Sequence, residues 1–250
     1  PKHDHKMKGL NEKPVGRWAI HIDLEGFGHF YGKEDIVLLS LGELMEGIFK
    51  IGNQYYPESP DRIFAHQLGD GFVIVSDFPE DTFGRPVAIA LSLLRHVANS
   101  GRYAKATISD GDFADITSCY PASVISAAGP DNRVRLGRGI MTLFPVMGTA
   151  LIRAISVAKK CPSGPLLAVA TENRERIPEG LIVHEVRSQG ILLIDWIHSE
   201  DKLARDIAEK SNLHWPDSSI LSKNLKDYCE TQRVKEEWLT SVRDFLGISI

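Results

Sequence analysis

The chain has 250 residues, 43% hydrophobic and 25% charged, with a formal net charge of −4. That profile predicts a globular protein with a real core and gives no basic stripe for non-specific nucleic-acid binding. Three cysteines without CxxC spacing (Cys119, Cys161 and Cys229) argue against a disulfide framework or a structural zinc site. No apolar run reaches the ~18 residues of a membrane helix, and the polar opening lacks a signal-peptide apolar region, so a soluble, cytoplasmic protein is expected.

In chain order, residues 1–16 are polar and lysine-rich, with His3 and His5, and are expected to form a flexible tail. The stretch Arg17 to Phe30 opens by alternating Trp18, Ile20 and Ile22 with smaller or polar residues, the period of a strand. The strand ends in a carboxylate, Asp23, before the turn Gly26-Phe27-Gly28. Glu34 to Lys50 carries apolar residues at helical spacing. Gly52 to Asp61 reads as a loop. Arg62 to Phe78 reads as a hairpin whose tip, Gly69-Asp70-Gly71, places a second aspartate beside two glycines. If the strands of Asp23 and Asp70 are neighbours, both carboxylates sit on one sheet edge and suit hard cations such as Mg²⁺ or Mn²⁺.

Pro86 to Ser100 is an apolar helix sandwiched in the core, and Arg102 to Pro121 reads as two strands joined across Asp110-Gly111-Asp112, where Asp110, Asp112 and Asp115 serve turn chemistry. Ala128 to Gly139 is a basic, glycine-bearing loop with Arg133, Arg135 and Arg138. Ile140 to Lys160 follows as a long apolar helix containing Arg153, which is either snorkelling or aimed at an anion. Leu166–Ala170, Leu181–Val186 and Ile191–Trp196 are strand-like. Helical patterns cover Asp201–Lys210, Ile220–Cys229 and Gln232–Leu246. The expected organisation is a tail (1–16), a catalytic domain (17–198) and a helical C-terminal extension (199–250) that packs on the domain or supports a dimer. The β-helix-β-β-helix-β order predicts an α+β fold with a ferredoxin-like palm.

Asp23-Leu24-Glu25-Gly26-Phe27 resembles the D-x-x-G-F motif of class III nucleotidyl cyclases, and Gly69-Asp70 with Phe72 resembles that family's G-D hairpin, at a similar separation. The resemblance covers roughly residues 17–196. It implies a phosphorus–oxygen lyase acting on a nucleoside triphosphate in a homodimer, with active sites at the interface and no membrane or nucleic-acid partner. Two Mg²⁺ or Mn²⁺ ions would be held by Asp23 and Asp70, the catalytic pair, and by the Leu24 carbonyl. The nucleotide would meet Gly26, Phe27, Gly28, His66, Gly69, Phe144 and Arg153.

Several positions depart from the family. His66 stands where purine cyclases carry a base-selecting residue, and Phe144 to Gly148 lacks their carboxylate. Ile152 and Ser156 replace a helical Asn and Arg, with Arg153 one position, about 100°, away. Asp195 lies where a triphosphate lysine is expected. With the metal-holding aspartates present and the purine-reading residues replaced, the chain is similar to the pyrimidine cyclases of Pycsar antiphage systems, which make cyclic UMP or cyclic CMP. Phe144, Tyr55 and Tyr56 are then candidates for a bulkier base lining. The alternatives are a purine (adenylyl or guanylyl) cyclase, a diguanylate cyclase-like enzyme, for which Leu68-Gly69-Asp70-Gly71-Phe72 is a near miss of G-G-D-E-F, and an inactive nucleotide-binding regulatory module.

Overall fold

The structure, a computed structural model, describes residues 16–25, 34–129, 132–232 and 234–250. Strand β1 (Arg17–Leu24) sends Trp18, Ile20, Ile22 and Leu24 to one face of a sheet and Ala19, His21 and Asp23 to the other, as the period-2 alternation requires. Helix α1 (Glu34–Lys50) follows, then the hairpin β2 (Ile63–Leu68) and β3 (Gly71–Ser76), helix α2 (Gly84–Ala98) and strand β4 (Ala104–Gly111). These four strands lie in the order β4-β1-β3-β2, mutually antiparallel. The β-α-β-β-α-β palm expected from the sequence is therefore formed. Three more strands, β9 (Leu167–Ala170), β11 (Ile191–Ile194) and β10 (Val183–Val186), extend the sheet beyond β4, with β4 and β9 parallel. The architecture is α+β around a seven-stranded mixed sheet.

One face of the sheet carries the main core. Helix α2 is buried along nearly its whole length, including Val87, Ile89, Leu91, Leu93 and Leu94, and each such side chain contributes about 1.5–3 kcal/mol by leaving water. Helices α5 (Lys202–Lys210), α6 (Ser218–Gln232) and α7 (Glu236–Leu246) add Ile207, Leu221, Leu225, Trp238, Val242 and Leu246 to that same core. The buried guanidinium of Arg95 ties this region together by donating to the carbonyls of Trp196, Ile197, Ser199 and Pro216. The other face is covered by α4 (Thr149–Lys160), which seats Ala150 and Ala154 against Ala19, Val73 and Val75. Thr107 and Ser109 of β4 donate to the Ala154 and Ala150 carbonyls beneath it.

Four expectations need correction. The first residues of the loop expected over Gly52 to Asp61 are helical: Ile51–Tyr55 continues α1 as a wide helical turn. Asp110-Gly111-Asp112 does not close a hairpin: β4 pairs with β1 and β9, while the short β5 (Ala114–Asp115) pairs with β8 (Val146–Met147). The basic loop is itself a hairpin, β6 (Arg133–Leu136) with β7 (Gly139–Thr142). The helix expected from Ile140 begins only at Thr149, since Pro145 disfavours helical backbone at the residue before it and cannot donate within a helix. A Cβ on Gly148 would also overlap the Asp112 carbonyl, so that contact admits only glycine. Among the described residues no helix is long and apolar enough to cross a membrane.

Candidate active site

Two cross-strand rows on the α4 side of the sheet define the site. Lys105, Asp23, Gly71 and Leu68 are neighbours across β4, β1, β3 and β2; one pleat further in, about 7 Å, come Thr107, His21, Val73 and His66. Asp23 thus pairs directly with Gly71, the residue that follows hairpin Asp70. Gly71 is required there: a Cβ would stand 2.6 Å from the Ile22 carbonyl and 2.7 Å from the Asp23 Cβ. Gly69, at φ +65°, makes the turn itself in a region side chains disfavour. The two carboxylates that the sequence separates by a helix and a strand are brought to one edge.

Asp23 is the strained member. Its Oδ1 is buried and meets no hydrogen-bond donor. Burial pushes its carboxyl up to about 7; Glu25 adds to the rise, Lys105 opposes it, and Asp70 adds a smaller push. Such an oxygen is stabilised either by a proton or by a cation. The donor set fits a hard divalent ion: carboxylate oxygens from Asp23 and Asp70, with the Leu24 carbonyl as the part of that residue available, since its side chain is in the main core. No group of three or more His, Cys, Asp or Glu gathers to hold a metal among the described residues. An ion here would take the rest of its shell from phosphate and water, as Mg²⁺ prefers.

His21, which no sequence motif singles out, forms the floor beneath Asp23. Its Nδ1 is buried without a partner, and burial lowers its pKa while the nearby Asp70 raises it. The strand period does carry a signal for it, since His21 shares the face of Asp23 by period 2. To the side, His66 packs against Phe113 and Phe144, with ring centroids 5.8 and 5.5 Å apart. Burial lowers the His66 pKa, with Asp115 opposing. His66 and Phe144, predicted as base contacts, are therefore brought together on the face of the aspartates.

Other predicted residues lie elsewhere. Arg153 sits over the far end of β4, its guanidinium 3.5 Å from Asp110 and donating to the Asp110 carbonyl. Asp110 faces Trp18, five residues from Asp23 along β1, so Arg153 is not with the carboxylate pair. Tyr55 donates to Asp206, and Tyr56 is buried in the main core under Arg85, so neither lines the site. Asp195 accepts from the backbone N–H groups of Ile197 and His198 and pairs with the His198 ring, shaping the turn before α5. Asp115 accepts from Thr117, the turn chemistry expected of it. Gly26, Phe27 and Gly28, like His3 and His5, lie outside the described residues.

No protein-family model matches the chain, and no curated protein matches it. Among solved structures it is similar to the guanylyl cyclase Cya2 at a TM-score of 0.41 and 10% identity, over 72% of this chain and 91% of that one. It is also similar to two structures of a bacterial light-regulated adenylyl cyclase, with TM-scores of 0.42 and 0.41, identities of 11% and 12%, and 89% and 88% of this chain covered. The match spans 60% and 59% of those two chains.

Proposed function

We propose that the chain is a nucleotidyl cyclase that converts a nucleoside triphosphate to its 3′,5′-cyclic monophosphate and pyrophosphate. The observation that carries this reading is the Asp23–Gly71 register, which sets the buried, unpartnered Asp23 oxygen beside hairpin Asp70. In the reaction the ribose 3′-oxygen attacks the α-phosphorus, the bond from that phosphorus to the bridging oxygen of the β-phosphate breaks, and the hydroxyl proton is released. Asp23, Asp70 and the Leu24 carbonyl would hold two Mg²⁺ or Mn²⁺ ions. When bound, these supply Lewis-acid polarisation of the phosphoryl oxygens and offset the charge of the departing pyrophosphate. The protein's own share is position: a rigid sheet edge fixes both carboxylates above His21.

The finer reading is a pyrimidine base, UTP or CTP, set against His66 and Phe144. Phe113 and Phe144 narrow the space beside His66, and a ring nitrogen of neutral His66 is able to donate to or accept from a pyrimidine edge. The resemblance to Pycsar cyclases extends this to signal production in antiphage defence. A homodimer is the proposed assembly, with the β6–β7 hairpin, exposed at Arg135, Leu136, Arg138 and Ile140, reaching towards a second copy. The experiment is a screen of all four NTPs with Mn²⁺, reading cyclic product. A cyclic pyrimidine product that disappears in Asp23→Ala and Asp70→Ala is expected. Purine-only turnover would overturn the base assignment, and no turnover of any NTP would leave a binding module.

A further inference from the structure

Asp23 lies at the end of β1 and Glu25 just beyond it, and the fold treats them in opposite ways. Glu25 Oε1 lies 3.0 Å from the Lys105 ammonium. Its Oε2 accepts from the Gly164 backbone N–H at 3.0 Å and from the Trp238 indole N–H at 3.1 Å. The Glu25 and Lys105 side chains are only 14% and 12% exposed, so this is a nearly buried pair held from β4, from the turn before β9 and from α7. Asp23 is the direct cross-strand partner of Lys105, yet its Oδ1 receives nothing. A lysine stem is long enough to serve either carboxylate. Glu25 is the one that has it.

We propose that Glu25 is a positioning residue that holds the Lys105 ammonium off Asp23, and that Trp238 and Gly164 fix Glu25 in this role, so that helix α7 sets the affinity of the carboxylate edge for a divalent cation. This rests on the reading of Asp23 and Asp70 as the metal-holding pair. An ammonium released from Glu25 would settle on Asp23 as a tethered cation and compete with the ion. With its partners in place, both Glu25 oxygens are engaged, Oε1 by Lys105 and Oε2 by Gly164 and Trp238, which turns its carboxylate away from the ligand set. The C-terminal helices are then part of the site by hydrogen bonding, without touching the substrate.

The test is Mn²⁺ binding to the full chain without nucleotide, read from the free-ion electron paramagnetic resonance signal. Glu25→Gln is expected to weaken binding about tenfold, the lower range for loss of an outer-shell partner. Lost negative charge alone would weaken it too, so the deciding quantity is the coupling to Lys105. Lys105→Met should strengthen binding more in the Glu25→Gln background than in the wild type. Trp238→Phe changes no charge and should weaken binding about threefold, the worth of one hydrogen bond, with Lys105→Met again recovering it. Equal gains from Lys105→Met in both backgrounds would overturn the proposal, as would wild-type affinity in a folded Trp238→Phe chain. Should Trp238→Phe fail to fold by circular dichroism, the Glu25→Gln and Lys105→Met cycle decides alone. A wild-type chain that binds no Mn²⁺ would overturn the metal reading itself, and this inference with it.

Discussion

At the scale of single residues, the cost of the site is concentrated on Asp23. Its carboxyl titrates near 3.8 when unfolded and is raised to about 7 when folded. Between those values the folded chain binds more protons than the unfolded one, so the metal-free protein loses stability as pH rises from about 4 to about 7. Asp23→Asn should therefore stabilise the metal-free chain at pH 8 by on the order of 1 kcal/mol, read as a raised melting temperature in differential scanning fluorimetry, while removing Mn²⁺ binding. Wild-type Mn²⁺ affinity should fall as pH drops below about 7, approaching tenfold per unit, because the ion must displace the proton. Gly71→Ala belongs here too. Its Cβ would overlap the Ile22 carbonyl and the Asp23 side chain, so urea unfolding should report about 1–3 kcal/mol lost. Asp23 and Asp70 were legible in the sequence because each follows a local signal, a strand end and a glycine-flanked hairpin tip. Glu25 was not, because its meaning lies in Trp238, 213 residues away.

Among elements, the α1–α2 contact carries a pH dependence separate from the site. His96 of α2 stacks on His214 and lies 3.5 Å from Glu43 of α1. Burial, then His214 and Lys50, lower its pKa to about 4, with Glu46 opposing. The unfolded chain takes up this proton near 6.5 and the folded chain does not. Stability is therefore unaffected above about 6.5 and falls as pH drops from there to about 4, by about 3 kcal/mol at full extent. Chemical denaturation across that window in wild type and His96→Gln should show the slope lost in the variant. Most elements of the palm were readable because period and turn chemistry agree there, although residues 52–55 are helical and the Asp-Gly pair at 110–111 closes no hairpin. They failed between Ile140 and Gly148, where an apolar stretch matched a helical period. Pro145 and the close approach at Gly148 decide that backbone, and the second is a tertiary fact.

For the molecule as a whole, the helices after residue 199 close one face of the sheet, while apolar residues stay in water both on α1, at Leu39 and Phe49, and on the opposite side around α4. Leu136 and Ile140 at the β6–β7 hairpin, Met147 and Ile152 are 55–64% exposed, more than scattered surface residues explain. Leu136→Glu and Ile140→Glu should shift the proposed dimer to monomer in sedimentation velocity and lower turnover per chain, with the melting temperature within about 2 °C of wild type. An unchanged sedimentation coefficient would place the dimer contact elsewhere.

The stitch between Asp112 and Thr149 has one more implication. The Asp112 N–H donates to Thr149 Oγ1 at 2.8 Å, and the Ala150 N–H donates to the Asp112 carbonyl at 3.2 Å. Everything from Phe113 to Gly148 is thus an excursion whose two ends already touch. Loop closure grows only slowly in cost with length, so an arm entered through such a neck can lengthen, shorten or change composition with little consequence for the strands it leaves. Phe113 and Phe144 ride on that arm, whereas Asp23 and Asp70 do not. Selection can therefore rewrite what sits beside His66 at one tempo while the carboxylate edge is kept at another, and a chimera exchanging residues 113–147 between homologous chains, with Gly148 retained, should move substrate preference without moving Mn²⁺ affinity.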